Sequence, residues 1–375
     1  MLSVIGFVLA LYVAWRLWWP LRLPRALKVL LSLLTVAVAC HHRIVASVAG
    51  TWASPEIPRL AIAALAVGFT SVLLLTVALL VLDIAQLLTL LLRRRQGLAA
   101  LRHRALRPVL AGLVVLVSVY GVSQGMAVPK VKPVDVAIRG LPAAFEGYRV
   151  LQLTDIHASR LLTGAWVKQV VAAANAQQPD LIVITGDLID GTVQARRNDY
   201  PPLGELRAPD GVIAINGNHE YYEQHAQWMQ AFHGLGLHLL HNAHTQVRRG
   251  DAVLTIAGVT DPVAAQHGQA PPDINAALAG ATPGAPIILL DHRPGDARAN
   301  AAHGVALQLS GHTHGGHIIG LDQIVKRSNN GFVSGRYQVD GMLLYVSNGA
   351  GLWPGFATRI GVPSEITVFT LHRAP

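Results

Sequence analysis

The chain has a single cysteine in 375 residues, Cys40, and it lies in an apolar run. No disulfide can close within the chain, and no thiolate cluster can hold a metal. Charge is also scarce: 14% of residues are charged and 52% are hydrophobic, with a mean hydropathy of +0.40. That balance excludes an ordinary soluble protein along the whole length and points to membrane spans. Acidic residues are scarcest before Val128. Only Glu56 and Asp83 stand there against twelve Lys and Arg, a net +10. The remainder holds 18 basic and 19 acidic residues, a net −1. The +9 of the whole chain therefore belongs to membrane loops, and no nucleic-acid-binding surface is expected. No internal repeat and no low-complexity tail is apparent.

Four apolar stretches precede Pro129, at residues 2–19, 26–49, 60–92 and 109–128. Each is long enough to cross a hydrocarbon core of about 30 Å. The expected organisation is a transmembrane region of about four helices over residues 1–128. A tether with an edge strand follows over 129–147, and a globular domain over 148–375. The third stretch is too long for one crossing, since at about 1.5 Å per residue it reaches roughly 50 Å. The span is placed at 60–82 with an interfacial extension after it, which makes Asp83 a solvated residue at the span end.

The first stretch has no Lys or Arg ahead of its apolar run, and its positive charges follow it. It reads as a retained helix rather than a signal peptide. Arg22, Arg25 and Lys28 mark the first connection; Arg93, Arg94, Arg95, Arg102, Arg104 and Arg107 mark the third. By the positive-inside rule both are cytoplasmic, so everything after Val128 faces the periplasm or exterior. Trp15, Trp18 and Trp19 fit an interfacial belt, and His41 and His42 read as interfacial caps. The spans show no paired charges of the kind a transport pathway uses.

Beyond the tether, short apolar runs alternate with helix-like segments. Strands are expected at 148–153, 180–185, 211–215, 252–258, 286–290, 305–310, 341–347 and 365–371, and helices at 165–177 and 222–233. The first half alternates β and α and the second is mostly β. The α/β (α+β) class that fits is a sandwich of two sheets with helices outside.

One pattern recurs five times. An apolar strand ends and a residue able to bind metal follows: Asp155 and His157, then Asp187, then Asn218 and His219, then His292, then His312 and His314. Ligand sites in α/β sheets gather at the carboxyl ends of strands. Taken singly these are weak signals. Asp187 alone is an ordinary turn residue and Asn218 alone an ordinary cap. Their shared context argues for one metal site.

The order Asp155-Ile156-His157, Gly186-Asp187, Gly217-Asn218-His219-Glu220, His292 and Gly311-His312-Thr313-His314 resembles the calcineurin-like metallophosphoesterase superfamily over roughly residues 148–371. The wording of the third and last motifs is closest to a branch of membrane-associated bacterial phosphoesterases. That branch usually has Gln where His317 stands here. The resemblance implies a ββ sandwich flanked by helices and two divalent metal ions. Asp155, His157, Asp187 and His314 would hold the first ion; Asp187, Asn218, His292 and His312 would hold the second, with Asp187 as the bridge. Carboxylate, amide and imidazole suit Mn, Fe or Zn without distinguishing among them. Two cations about 3.5–4 Å apart can activate water and clamp a phosphoryl group.

His219 follows a ligand and is not needed as one. Its expected role is to donate to the leaving oxygen or to stabilise transition-state charge, the alternative being a hydrogen bond to a ligand. The expected protein is a multi-pass phosphoesterase of the bacterial inner (plasma) membrane with its catalytic domain outside the cytoplasm. Its expected substrates are phosphodiesters or phosphoesters, lipid-linked head groups among them. The competing expectation is a catalytically inactive, metal-bound sensor or interaction protein of the membrane. Such a domain would be expected to lack a ligand or His219, and none is missing. His225, His233, His238, His241, His244, His267, His303 and His372 read as surface or satisfied core residues. Arg293 reads as solvated, with a phosphate contact as the alternative.

Overall fold

The computed structural model describes residues 2–103 and 105–374, without the side chains of Leu2 and Arg95. Met1, Arg104 and Pro375 lie outside the described residues, and so does the reading of Arg104 as a cytoplasmic loop residue. Two compact units emerge: Met1–Gln124 with Pro354–Thr358, and Gly125–Trp353 with Arg359–Pro375.

The first unit is helical. It comprises α1 (Leu2–Val13), extended by a π turn at Ala14–Trp18, then α2 (Arg25–Ala39), α3 (His41–Val48), α4 (Arg59–Leu91), α5 (Arg95–Leu101) and α6 (Leu106–Gly125). Pro24 and Pro58 precede α2 and α4, where a missing N–H costs no intrahelical bond. Among the described residues, α4 and α6 are the helices long and apolar enough to cross a membrane, with a third candidate if α2 and α3 form one broken span. The expectation of four spans is therefore corrected to two or three. The second stretch breaks at Cys40, whose φ of −101° and ψ of 10° leave the helical region, and the two helices bend by 70°. The first stretch yields only a shorter apolar helix ending at Trp18.

Asp83 is also corrected. Helix α4 runs on past it, as an extension beyond the span would, but the side chain is half-buried and ion-paired rather than freely solvated. Its carboxylate accepts from Tyr12 Oη at 2.8 Å and from Arg16 Nε at 2.8 Å, joining α1 to α4. The two apolar helices thus do carry a charge pair, because the guanidinium offsets the cost of an acid among apolar side chains. His41 and His42 are buried. A ring nitrogen of His42 lies 2.6 Å from Gly355 O, and both rings meet the edge or face of Phe69.

The second unit holds two six-stranded sheets. The first runs in the order β1 (Lys130–Ile138), β12 (Glu365–Arg373), β2 (Arg149–Leu153), β3 (Leu181–Thr185), β4 (Val212–Ile215) and β5 (His238–Leu239). The second runs β10 (Gly335–Val339), β11 (Met342–Val346), β9 (Leu307–Ser310), β8 (Ile287–Leu290), β7 (Ala252–Gly258) and β6 (Ala243–Arg249). Within them β2, β3 and β4 are parallel, as are β7, β8 and β9.

Side-chain alternation builds the layers. Leu181 and Val183 of β3 meet Ile288 and Leu290 of β8 in the core between the sheets. Ile182 and Ile184 point the other way, into a second core with Trp166 and Val170 of α7 (Gly164–Asn175). Leu289 faces a third core with Ala277 and Ala297. Short helices complete the unit: α8 (Val193–Arg196), α9 (His219–Tyr222), α10 (His225–Gly234), α11 (Ile274–Leu278), α12 (Ala297–Ala301) and α13 (Asp322–Ser328). The mixed α/β fold with two sheets is the expected one. Strands β5, β6 and β10 were not expected.

Candidate metal centre

Five strands deliver the candidate ligands from their carboxyl ends. Asp155 and His157 follow β2, Asp187 follows β3, and Asn218 and His219 follow β4. His292 follows β8, and His312 and His314 follow β9. The two sheets are stitched at this edge. The buried Gln152 of β2 donates to Thr185 Oγ1 at 2.8 Å and to Ser310 O at 3.1 Å. The N–H of His312 reaches both oxygens of Asp155 at 3.1 Å. All the expected ligands therefore converge on one place.

Tight turns achieve this convergence. Asp155, His157, Asp187, His312 and His314 all have φ between 49° and 68°, the left-handed region that non-glycine residues avoid. Such conformations persist only where surrounding structure imposes them, and they cluster at functional sites. Three groups of ligand atoms result, each within 4.8 Å: Asp155, His157 and His314; His157, Asp187 and His219; Asp187, His292 and His312. Asp187 Oδ2 lies 3.2 Å from His292 Nε2 and 3.7 Å from His157 Nε2. His314 Nε2 lies 3.5 Å from Asp155 Oδ1. A cavity of about 180 Å³ opens onto Asp187, Asn218, His219, His312, His314 and Trp353. His317 also lines it, with its ring 4.9 Å from that of His314.

Hydrogen bonds decide which atoms face inward. His292 Nδ1 lies 2.7 Å from Thr185 O; a carbonyl only accepts, so Nδ1 carries the proton and Nε2 offers a lone pair. His157 Nδ1 lies 3.2 Å from Asp190 Oδ2, which fixes the same tautomer. Asn218 Nδ2 donates to Tyr222 Oη at 3.0 Å, which turns Oδ1 toward the site. Among the described residues, the inward atoms His157 Nε2, His292 Nε2 and Asn218 Oδ1 are buried without a hydrogen bond, as is His314 Nδ1, and the His292 lone pair faces the acceptor Asp187 Oδ2. Buried polar atoms are rarely left so, and a divalent cation supplies what this donor set lacks. The residues present fit metal binding.

Two carboxylates were missed from sequence. Asp190 receives His157 Nδ1 and, through a short contact, His219 Nδ1. Glu220 accepts the N–H groups of Asp187 at 2.9 Å, Leu188 at 2.7 Å and Gly217 at 2.7 Å, tying the β3 and β4 loops together. The only sequence signal was position: Asp190 stands three residues after Asp187, and Glu220 two after Asn218. Arg359 was also missed; it is buried and donates to the carbonyls of Asn348 at 2.7 Å and Gly351 at 2.9 Å.

Burial works against a charged His219, but the carboxylates of Asp187 and Asp190 prevail and raise it to about 9. Burial lowers His314 well below the usual imidazole range, which favours the neutral form that metal binding would require. Arg293 is not a free solvated side chain. It pairs with Asp261, at 2.6 Å from Nε and 3.1 Å from Nη2, because burial leaves the guanidinium in need of a carboxylate.

Residues 148–316 match the model of the calcineurin-like phosphoesterase family. The chain is 33% identical to a Danio rerio transmembrane protein with metallophosphoesterase domain, over 76% of this chain and 67% of that protein. Its Bos taurus counterpart is 35% identical over 73% of this chain and 64% of that protein. A Bacillus subtilis metallophosphoesterase, YkuE, is 33% identical over 62% of this chain and 81% of its own length. The chain thus spans about two thirds of the length of the two vertebrate proteins.

Proposed function

Because the chain belongs to the calcineurin-like phosphoesterase family, we propose that it is a membrane-anchored phosphoester hydrolase that works with two divalent cations. The observation that carries the proposal is the gathering of carboxylate, amide and imidazole atoms around Asp187 at the carboxyl edge of both sheets. In this reading Asp155, His157, Asp187 and His314 hold one ion. Asp187, Asn218, His292 and His312 hold the other, with Asp187 shared. Mn, Fe or Zn each suit the donors. Bound there, such cations supply positive charge for phosphoryl oxygens and lower the pKa of water.

The chain's own residues then bind, orient and move a proton. His219 is the acid. Its Nδ1 is committed to Asp190, and the same carboxylates favour its protonated form, which cannot ligate a metal. One water is consumed in the reaction. Its oxygen forms the new bond to phosphorus, the bond to the leaving oxygen breaks, and that oxygen takes the proton of His219 Nε2. The proton released by the water restores the imidazolium.

Phosphodiesters, including those on lipid head groups, are the substrates this reading favours, since a membrane anchor keeps the enzyme where such head groups are. The positive-inside charge pattern supports a multi-pass anchor in a bacterial inner membrane with the site on the periplasmic or extracellular side. A C-terminal reporter active only in the cytoplasm would reverse that orientation.

The test of function uses the full chain purified in detergent and bis(p-nitrophenyl) phosphate as substrate. Chelation should abolish turnover and Mn or Zn should restore it. Asp187→Ala and His219→Ala should each lower kcat by about 10²- to 10⁴-fold. Unchanged turnover in both variants would overturn the assignment.

A further inference from the structure

The sandwich unit keeps its large apolar side chains inside, with two exceptions. Among its described residues, Ile319 and Ile324 are the large hydrophobic side chains open to solvent, at 71% and 62% exposed. Both follow directly on the loop that carries His312 and His314. Ile319 is held by a hydrogen bond from its N–H to Ile360 O at 2.9 Å. Ile324 stands on α13, where its neighbour Val325, together with Asn329 just past the end of the helix, lines the same cavity as Asp187 and His314. The element that walls the cavity thus also exposes apolar surface beside it. Scattered exposed hydrophobics need no explanation, but these two stand five positions apart on the stretch that runs from the His314 turn into α13, the helix that helps to line the cavity. Lys326 and Arg327 close the same helix, and neither is ion-paired among the described residues.

We propose that the segment from Ile319 to Arg327 is an interfacial loading surface for phosphoesters carried on amphiphiles. Its two isoleucines enter the acyl region of a bilayer, and Lys326 and Arg327 meet anionic lipid phosphates. This rests on the phosphoesterase reading above and names the physical class of its substrate. A bilayer is the occupant for two reasons. The chain carries helices long enough to cross one, and only residues 126–129 separate the end of α6 from the start of β1. The cations also complement anionic lipid, whereas a soluble nucleotide would gain nothing from solvent-facing isoleucines.

The test compares two substrates on the full chain. One is bis(p-nitrophenyl) phosphate in solution. The other is lipid in equimolar phosphatidylcholine and phosphatidylglycerol vesicles, run with and without phosphatidic acid. Ile319→Ser/Ile324→Ser should lower turnover of vesicle lipid by about tenfold to a hundredfold. It should leave the soluble diester within about twofold, which also shows that the variant folds. Lys326→Glu/Arg327→Glu should lose turnover on anionic vesicles and keep the soluble reaction. Equal loss on both substrates, or no loss on vesicles, overturns the proposal. If the parent chain hydrolyses the soluble diester and neither lipid, the loading surface is wrong and the phosphoesterase reading stands. If it hydrolyses neither kind of substrate under any metal, the phosphoesterase reading itself falls.

Discussion

Adding one methyl group at Gly217 should cost more activity than stability. A Cβ at this position would stand 2.2 Å from Asp187 Oδ1 and 2.6 Å from Asp187 N, where ordinary contact begins near 3.4 Å. The two loops must therefore part by about 1 Å. Asp187 cannot swing aside cheaply. Its N–H is held by Glu220, its Oδ1 accepts from the N–H of His219 at 2.9 Å, and its Oδ2 faces His292. Gly217 is itself tied to Glu220. The displacement falls on the proposed bridging carboxylate or on Asn218. A misplacement of about 1 Å costs about 10²-fold in rate. The strain on folding should be about 1–3 kcal/mol.

The assay is kcat/KM on a soluble phosphodiester at saturating metal, with metal stoichiometry and thermal unfolding measured on the same sample. Gly211→Ala is the control. It lies just before the same strand at φ +87°, and a Cβ there meets nothing within 4 Å. It should lose about 1 kcal/mol of stability and almost no activity. If Gly217→Ala stays within about threefold of the parent in kcat/KM with its metal content intact, the argument from close approach is refuted.

Asp190→Asn keeps the shape of the side chain and removes one of the two carboxylates that raise His219. With His219 as the proposed protonated donor, activity should be present below its pKa and lost as pH rises through it. The variant should move the alkaline limb of kcat to lower pH, and a limb that stays in place would refute the pairing. Arg16→Ala removes the guanidinium from Asp83 and should lower the thermal stability of the helical unit in detergent by about 1 kcal/mol. An unchanged melting curve would mean that the pair does not hold α1 to α4.

The candidate ligands stood out in the sequence because they follow almost wholly buried parallel strands. Runs such as residues 181–184 and Ile287–Leu290 are apolar throughout, so the polar residues that follow each stand out. Strands β6 and β10 lack that contrast, since most of their residues are only half-buried or exposed. β5 is two residues long. Asp190 and Glu220 were hidden for another reason. Their roles lie in bonds to residues brought near by folding, such as His219 to Asp190, and spacing does not encode these. Nor did any residue type announce the bend at Cys40, which has neither Gly nor Pro beside it. The pairing of Asp83 was hidden because its partner, Arg16, lies 67 positions away.

The left-handed backbone at five of the seven proposed ligands has a consequence for how this domain can decay. Each such residue costs on the order of 1 kcal/mol relative to glycine, so the five together oppose folding by on the order of 5 kcal/mol. That is a large fraction of the roughly 5–15 kcal/mol by which domains are stable. At these positions folding and chemistry pull in opposite directions. His157→Gly or His314→Gly would relax the turn and melt higher while removing an imidazole. A chain drifting toward greater stability would lose its candidate metal site first and keep its sandwich.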